Sequence, residues 1–93
     1  MIVKNPNDYT LKGFRPSKSK GKKIDAVLEN KKTRSTLYVP FGQKGSETYK
    51  NETGVQVDRV HNDAKRRKAY LARHKGEDKN KFSSGFFSIK YLW

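Results

Sequence analysis

The side chains best suited to bind an anion are concentrated between Lys65 and Glu77, where the sequence reads KRRKAYLARHKGE. Seven of the eleven residues at positions 65–75 are Lys, Arg or His. Lys and Arg bind phosphates through their charge, and Arg can also donate two parallel hydrogen bonds to one phosphate. A second basic stretch, RPSKSKGKK, lies at positions 15–23. The residues predicted to bind an anion or a nucleic acid are Lys65, Arg66, Lys68, Arg73, Lys75, Arg15, Lys18 and Lys20.

The charges at positions 65–75 have two interpretations. Basic runs on a helix often do no more than keep its exposed face in water. Here the charges have one sign, and like charges three or four residues apart each destabilise a helix by about a few tenths of a kcal/mol. An anionic partner would relieve that repulsion. This stretch offers no Asn or Gln to read base edges, so a nucleic acid is expected to be bound without regard to its sequence.

A helix is predicted over about residues 59–75. Asp58 and Asp63 are candidate N-caps, and Gly76 is a typical residue just beyond a helix end. We expect one apolar stripe of this helix to rest on the remainder of the domain; it consists of Val57, Val60, Ala64 and Leu71. The neighbouring sector is expected to form one contact network, with its tyrosine buried and the hydroxyl paired; its members are Arg67, Tyr70 and His74.

Motifs for catalysis or metal binding are missing from the sequence. The chain has no Cys, and His61 and His74 stand 13 positions apart without a metal-ligand motif. No nucleophile motif such as GxSxG accompanies the Ser residues. We therefore predict a protein without catalytic residues, without a metal or other cofactor, and without a small-molecule substrate.

Composition restricts the cellular setting and points to a partner. The 93 residues carry a formal net charge of +13, and Val, Leu, Ile and Phe make up only about a fifth of them. This apolar content favours one small domain with a thin core, which a macromolecular partner would help to order. The lack of Cys, of a signal peptide and of a long apolar run predicts a protein of the cell interior with no membrane partner.

The predicted fold class is α+β. Residues 1–22 are interpreted as an extended basic arm and residues 23–93 as one small domain. Apolar and polar residues alternate in two short runs, which predicts a β-hairpin over about residues 23–41. We expect the basic helix and a short aromatic C-terminal helix to pack against this hairpin.

The C-terminal stretch KFSSGFFSIKYLW holds much of the apolar mass of the chain. A short helix capped by Ser83 or Ser84 is favoured, and a strand is the alternative. In either form apolar side chains occur on both sides, so one small core is not expected to absorb them all. We expect Phe86 and Trp93 to pack near Leu71. The residues predicted to face a neighbouring protein are Phe87 and Tyr91.

Three features in this order resemble a group of small uncharacterised proteins from large DNA viruses of algae and protists and from some phages. They are a hairpin ending in Phe41-Gly42, a basic helix with the pattern RxxYxxRH at 67–74, and an aromatic segment with GFFS at 85–88 that ends in Leu92-Trp93. The resemblance covers about residues 23–93. It implies a viral setting and brings no activity with it.

The resemblance and the composition together predict a non-enzymatic structural component of a virion, present inside the host cell during assembly. The favoured role is a minor capsid or cementing protein that binds larger viral structural proteins and acidic surfaces. The alternative is a sequence-independent nucleic-acid-binding protein that acts in genome packaging or as a ribosome-like module.

Overall fold

The main element of the fold is a three-stranded antiparallel sheet with the strand order β1-β2-β3. A computed structural model describes residues 3–55 and 59–93. The strands are β1 (Tyr9–Pro16), β2 (Lys22–Asn30) and β3 (Thr36–Gln43), and a single 3-10 turn (Pro6–Asp8) precedes them.

Two helical segments follow the sheet in the described part of the chain. The first is α1 (Ala64–Arg73), and the second is α2 (Ser84–Phe87), which continues directly into a π-helical turn (Ser88–Leu92). The small α+β domain predicted from the sequence is therefore confirmed.

The predicted hairpin is confirmed as β2 and β3. Its alternation places one set of side chains on the core face, where all are fully buried: Ile24, Ala26, Leu28, Val39 and Phe41. The side chain of Asn30 accepts hydrogen bonds from the main-chain N–H groups of Lys32 and Thr33, which fixes the turn between the strands.

The strand β1 corrects the prediction that residues 1–22 form an extended arm. Leu11 is opposite Leu28 and Gly13 is opposite Val27, which leaves Lys12 as the extra residue of a β-bulge. Because of the bulge, Leu11 and Phe14 reach the same face of the sheet although they are three residues apart. Val3 is also buried in the core. The N-terminal segment is thus part of the domain.

The C-terminal segment, rather than α1, covers the core face of the sheet. Ser83 accepts a hydrogen bond from the N–H of Phe86 and so caps α2, which confirms the predicted helical form. The fully buried ring of Phe87 stacks on Phe41 with 5.3 Å between centroids. Leu92 is also fully buried. The aromatic rings of this segment bury more apolar area than α1 could.

The expectation that the apolar stripe of α1 rests on the core is confirmed only for Leu71, which packs against it, and is wrong for Val60 and Ala64. Val60 is 37% exposed, Ala64 is exposed, and Leu71 is only partly buried. Val57, with the candidate cap Asp58, lies outside the described residues. This stripe is too small and too discontinuous to displace the aromatic C-terminal segment from the sheet.

Candidate functional site

The helix α1 begins later than the sequence predicted because of the residues just before it. Asn62 has a left-handed backbone with φ of 54°, which interrupts any helix that begins near residue 59. The carboxylate of Asp63 then accepts hydrogen bonds from the N–H groups of Lys65 at 3.0 Å and Arg66 at 3.3 Å. Asp63 is therefore the N-cap. None of the ten residues of α1 is buried, so the helix projects from the domain.

An aromatic stack attaches α1 to the domain. The ring of Tyr70 lies between the imidazole of His74, at 4.1 Å, and the indole of Trp93, at 3.9 Å. The Nε of Arg67 donates to the main-chain oxygen of Trp93 at 2.6 Å. The structure thus brings Arg67, Tyr70 and His74 together, and Trp93 is the residue that joins them. The sequence analysis expected Trp93 to pack on this helix around Leu71, and the structure shows its stacking partner to be the adjacent Tyr70.

Burial and polar neighbours both act on the hydroxyl of Tyr70. Burial raises the pKa of Tyr70 above its ordinary value of 10.0, the Glu77 carboxylate raises it further, and Arg73 and a hydrogen bond with the Ser88 hydroxyl lower it. Tyr70 is half-buried, and its hydroxyl is paired as predicted. Glu77 also pairs with the imidazole Nδ1 of His74.

Glu77 reaches this position because Gly85 has no side chain. A Cβ at Gly85 would lie 2.7 Å from the main-chain oxygen of Glu77, closer than such atoms approach. The chain after α1 can therefore pack directly on the start of α2, and this contact brings the Glu77 carboxylate back toward the helix end.

Four of the predicted anion-binding cations stand free on α1 and just after it. Lys65, Lys68, Arg73 and Lys75 are all exposed. Within residues 3–55 and 59–93, no carboxylate lies at ion-pair distance from any of them. Arg66 differs, because its guanidinium pairs with Glu47.

The basic turn between β1 and β2 lies at the same end of the sheet as α1. Lys18 and Lys20 are exposed in this turn. The N–H of Lys44 donates to the carbonyl of Gly21 at 2.8 Å, and Lys22 is opposite Gln43 in the strand register. Gln43 in turn lines one groove together with Arg66 and Arg73. Lys22 lines a pocket of about 250 Å³ that also contains Tyr70 and His74.

The fold therefore brings the two basic segments of the sequence to one end of the molecule. We call the exposed or partly exposed cations at this end the cationic surface: Lys18, Lys20, Lys22, Lys44, Lys65, Lys68, Arg73 and Lys75. A sequence pattern shows each basic run separately, whereas only the strand register and the position of α1 show that the runs are neighbours.

Arg15 does not belong to the cationic surface, which corrects its predicted role. Its Nε lies 3.1 Å from a carboxylate oxygen of Asp25, and its guanidinium lies over the ring of Tyr38 at 3.5 Å from the ring centroid. The hydroxyl of Ser17 donates to the other oxygen of Asp25 at 2.6 Å. Asp25 is only 2% exposed. Arg15 thus pairs with a buried carboxylate that the sequence analysis missed. The one available signal was an acidic residue between the apolar Ile24 and Ala26.

The predicted protein interface is corrected as well. Phe87 is fully buried in the core, so the expectation that it faces a neighbouring protein is wrong. Tyr91 is partly buried and packs edge-on against Phe14, with 4.7 Å between the ring centroids. Phe86 packs edge-on against the rings of Phe82 and Phe87. The small core absorbs more of the aromatic segment than its composition indicated.

Comparison with known proteins provides no relative for this chain. No protein-family model matches it, and neither the curated proteins nor the solved structures give a match. The resemblance to small viral proteins stays a prediction. In the described part of the chain, no group of three or more His, Asp or Glu side chains could hold a metal ion. None of the helices formed by residues 3–55 and 59–93 is long and apolar enough to span a membrane.

Proposed function

We propose that this protein is a non-enzymatic nucleic-acid-binding protein that holds the phosphate backbone without reading base sequence. The cationic surface is the observation that supports the proposal. It joins exposed Lys and Arg side chains from two distant parts of the chain at one end of the fold. Such a surface attracts a polyanion and releases its condensed counterions on binding.

The distribution of carboxylates supports the same function. Asp63 caps α1, Glu47 pairs with Arg66, and Glu77 pairs with His74. Each of these three acidic residues near the cationic surface therefore has a local structural partner. The charges of Lys65 and Lys68 remain uncompensated, and a phosphate backbone is a partner that would compensate several of them at once.

The test is the salt dependence of binding to a fluorescently labelled DNA or RNA of about 20 nucleotides or base pairs. The variant replaces Lys65, Lys68, Arg73 and Lys75 together with Gln; Arg66 is retained because it neutralises Glu47. If each cation contacts one phosphate, the slope of log K against log salt should fall by about 3 to 4. Circular dichroism is expected to show an unchanged fold because all four side chains are exposed.

A matched control removes the same number of charges away from the cationic surface. Lys4, Lys12, Lys31 and Lys32 are exposed and lie outside that surface, so their replacement with Gln should leave most of the salt slope in place. An equal loss of slope in both variants would show that net charge alone drives binding. Absence of salt-dependent binding by the wild-type protein would overturn the proposal.

The role predicted from the resemblance, a minor capsid or cementing protein, stays a separate proposal. The burial of Phe87 removes one of its two expected interface residues, and no observation on the described residues favours it. The protein composition of purified particles would test it. A cementing protein would remain with the emptied shell, whereas the nucleic-acid-binding protein proposed above would leave with the genome.

A further inference from the structure

The two sides of α1 have different surroundings. Tyr70 and His74 face the domain through their ring contacts, and Arg67 reaches it through the hydrogen bond to Trp93. At about 100° per residue, the opposite side of the helix carries Ala72 and Lys65, about 20° apart, and Ala69 about 40° beyond Lys65. All three are exposed. The most outward part of α1 is therefore a strip in which one Lys lies between two small side chains.

Cations flank this strip on both sides. Lys68 lies on one side, and Arg66 and Arg73 lie within about 20° of each other on the other side. All three side chains are exposed, and Arg66 keeps half of its surface in water while its charge is paired with Glu47. The strip therefore has uncompensated positive charge on both sides, from Lys68 and from Arg73.

This arrangement fits the dimensions of one nucleic-acid groove. The major groove of B-DNA is about 12 Å wide and accepts an α-helix about 10–12 Å across, with a phosphate backbone on each side. The small side chains of Ala69 and Ala72 limit the bulk between the helix axis and the base pairs. The major groove of A-form RNA is too narrow for a helix, and a single strand offers only one backbone for cations on two sides of the helix.

We infer that α1 binds in the major groove of double-stranded DNA, with the strip of Lys65, Ala69 and Ala72 toward the base pairs, Lys68 toward one phosphate backbone and Arg73 toward the other. This inference rests on the proposed nucleic-acid binding and names its ligand. The strip has no Asn or Gln, so Lys65 is its only side chain that can donate a hydrogen bond to a base edge.

The first experiment fills the major groove without changing the backbone charge. Two duplexes of identical sequence are compared, one with cytosine and one with glucosylated 5-hydroxymethylcytosine, whose sugar projects into the major groove. Fluorescence anisotropy with the full chain is expected to show affinity lower by at least about tenfold for the glucosylated duplex, since the helix loses its access to both backbones. Equal affinity for the two duplexes would overturn the major-groove inference.

The second experiment changes the strip while leaving the charge intact. Ala69→Leu with Ala72→Leu keeps good helix formers and adds bulk where α1 would meet the base pairs. We expect weaker duplex binding and unchanged binding to a single strand of equal length. Ala64→Leu is the matched control, because Ala64 is exposed on α1 but lies outside the strip. Equal effects of the control and the double variant would contradict the inference.

The ligand panel separates failure of this inference from failure of the proposed function. It contains duplex DNA, duplex RNA and single-stranded DNA, each compared at the same salt concentration. Preference for duplex DNA supports the inference. Equal or stronger binding to RNA or to the single strand overturns it while the proposed function stands, and binding to none of the three overturns both.

Discussion

The indole of Trp93 lies flat on the ring of Tyr70, with 3.9 Å between the centroids and 2° between the planes. This contact attaches a helix without buried residues to the core of the domain. Its disruption should therefore release α1 while the sheet remains folded, because the core beneath β1, β2 and β3 is formed by the C-terminal segment.

Tyr70→Ala removes the centre of the stack and should lower the free energy of unfolding by about 2–3 kcal/mol. Tyr70→Phe keeps the ring and loses only the hydrogen bond with Ser88, so a loss of about 1 kcal/mol is expected. Urea unfolding followed by fluorescence measures both values, because Trp93 is the single Trp of the chain. Similar losses in the two variants would contradict a stabilising role for ring stacking.

Stability should decrease in alkaline solution through Tyr70. Its pKa is raised in the folded protein by burial and by Glu77, so the unfolded chain loses this proton first. The stabilising effect is complete below about pH 10, the ordinary tyrosine value, and is lost as the pH rises through the folded-state pKa. Urea unfolding between about pH 8 and pH 11 should show a smaller decrease for Tyr70→Phe than for the wild-type protein. Parallel curves would exclude Tyr70 as the source.

Arg15 is expected to contribute to stability and not to nucleic-acid binding. Arg15→Gln leaves the buried Asp25 carboxylate with Ser17, and should lower the free energy of unfolding by about 1–3 kcal/mol, since the guanidinium is itself partly exposed. The exposed Lys12→Gln is the control, with a change below about 0.5 kcal/mol. Thermal unfolding measures the stability of both variants. A reduced slope of log K against log salt for Arg15→Gln would show that Arg15 does contribute to nucleic-acid binding.

Phe87 and Phe86 should differ in their effect on stability although they are adjacent. Phe87→Ala opens a cavity beside Phe41 and should cost about 3–5 kcal/mol, whereas Phe86 is partly exposed and Phe86→Ala should cost less than half of that. Chemical denaturation measures both variants. A stable Phe87→Ala protein would support the original expectation that this ring faces a partner.

The sequence predicted the elements whose signals are local. The alternation in β2 and β3 and the capping residues Asp63 and Ser83 depend on neighbours within a few positions, and these predictions are confirmed. The strand β1 was missed because the bulge at Lys12 breaks the period of two. The end of β1 also lies in the basic stretch RPSKSKGKK. Its charges and Pro resemble those of a disordered arm and do not indicate that the strand pairs with β2.

The site was predictable only in part, for the same reason. The cations of α1 were identified from residue type and spacing. The stack of Tyr70 on Trp93 joins residues that are 23 positions apart, and the pairing of Arg15 with Asp25 depends on the register of two strands. The periodicity of a sequence does not predict contacts of this kind. It did predict the apolar stripe of α1, but the described residues of that stripe are largely exposed.

The strand order affects whether molecules of this protein can associate through the edges of their sheets. Because β2 is central, β1 and β3 are both edges, and open edges invite strand addition and aggregation. The outer edge of β3 contains Pro40, which has no N–H, and its carbonyl already accepts a hydrogen bond from Ser84 at 2.7 Å. The β1 edge is interrupted by the bulge at Lys12 and ends at Pro16. Both edges thus carry features that oppose strand addition between molecules, which would matter most where a polyanion concentrated many copies of the protein and screened their mutual repulsion.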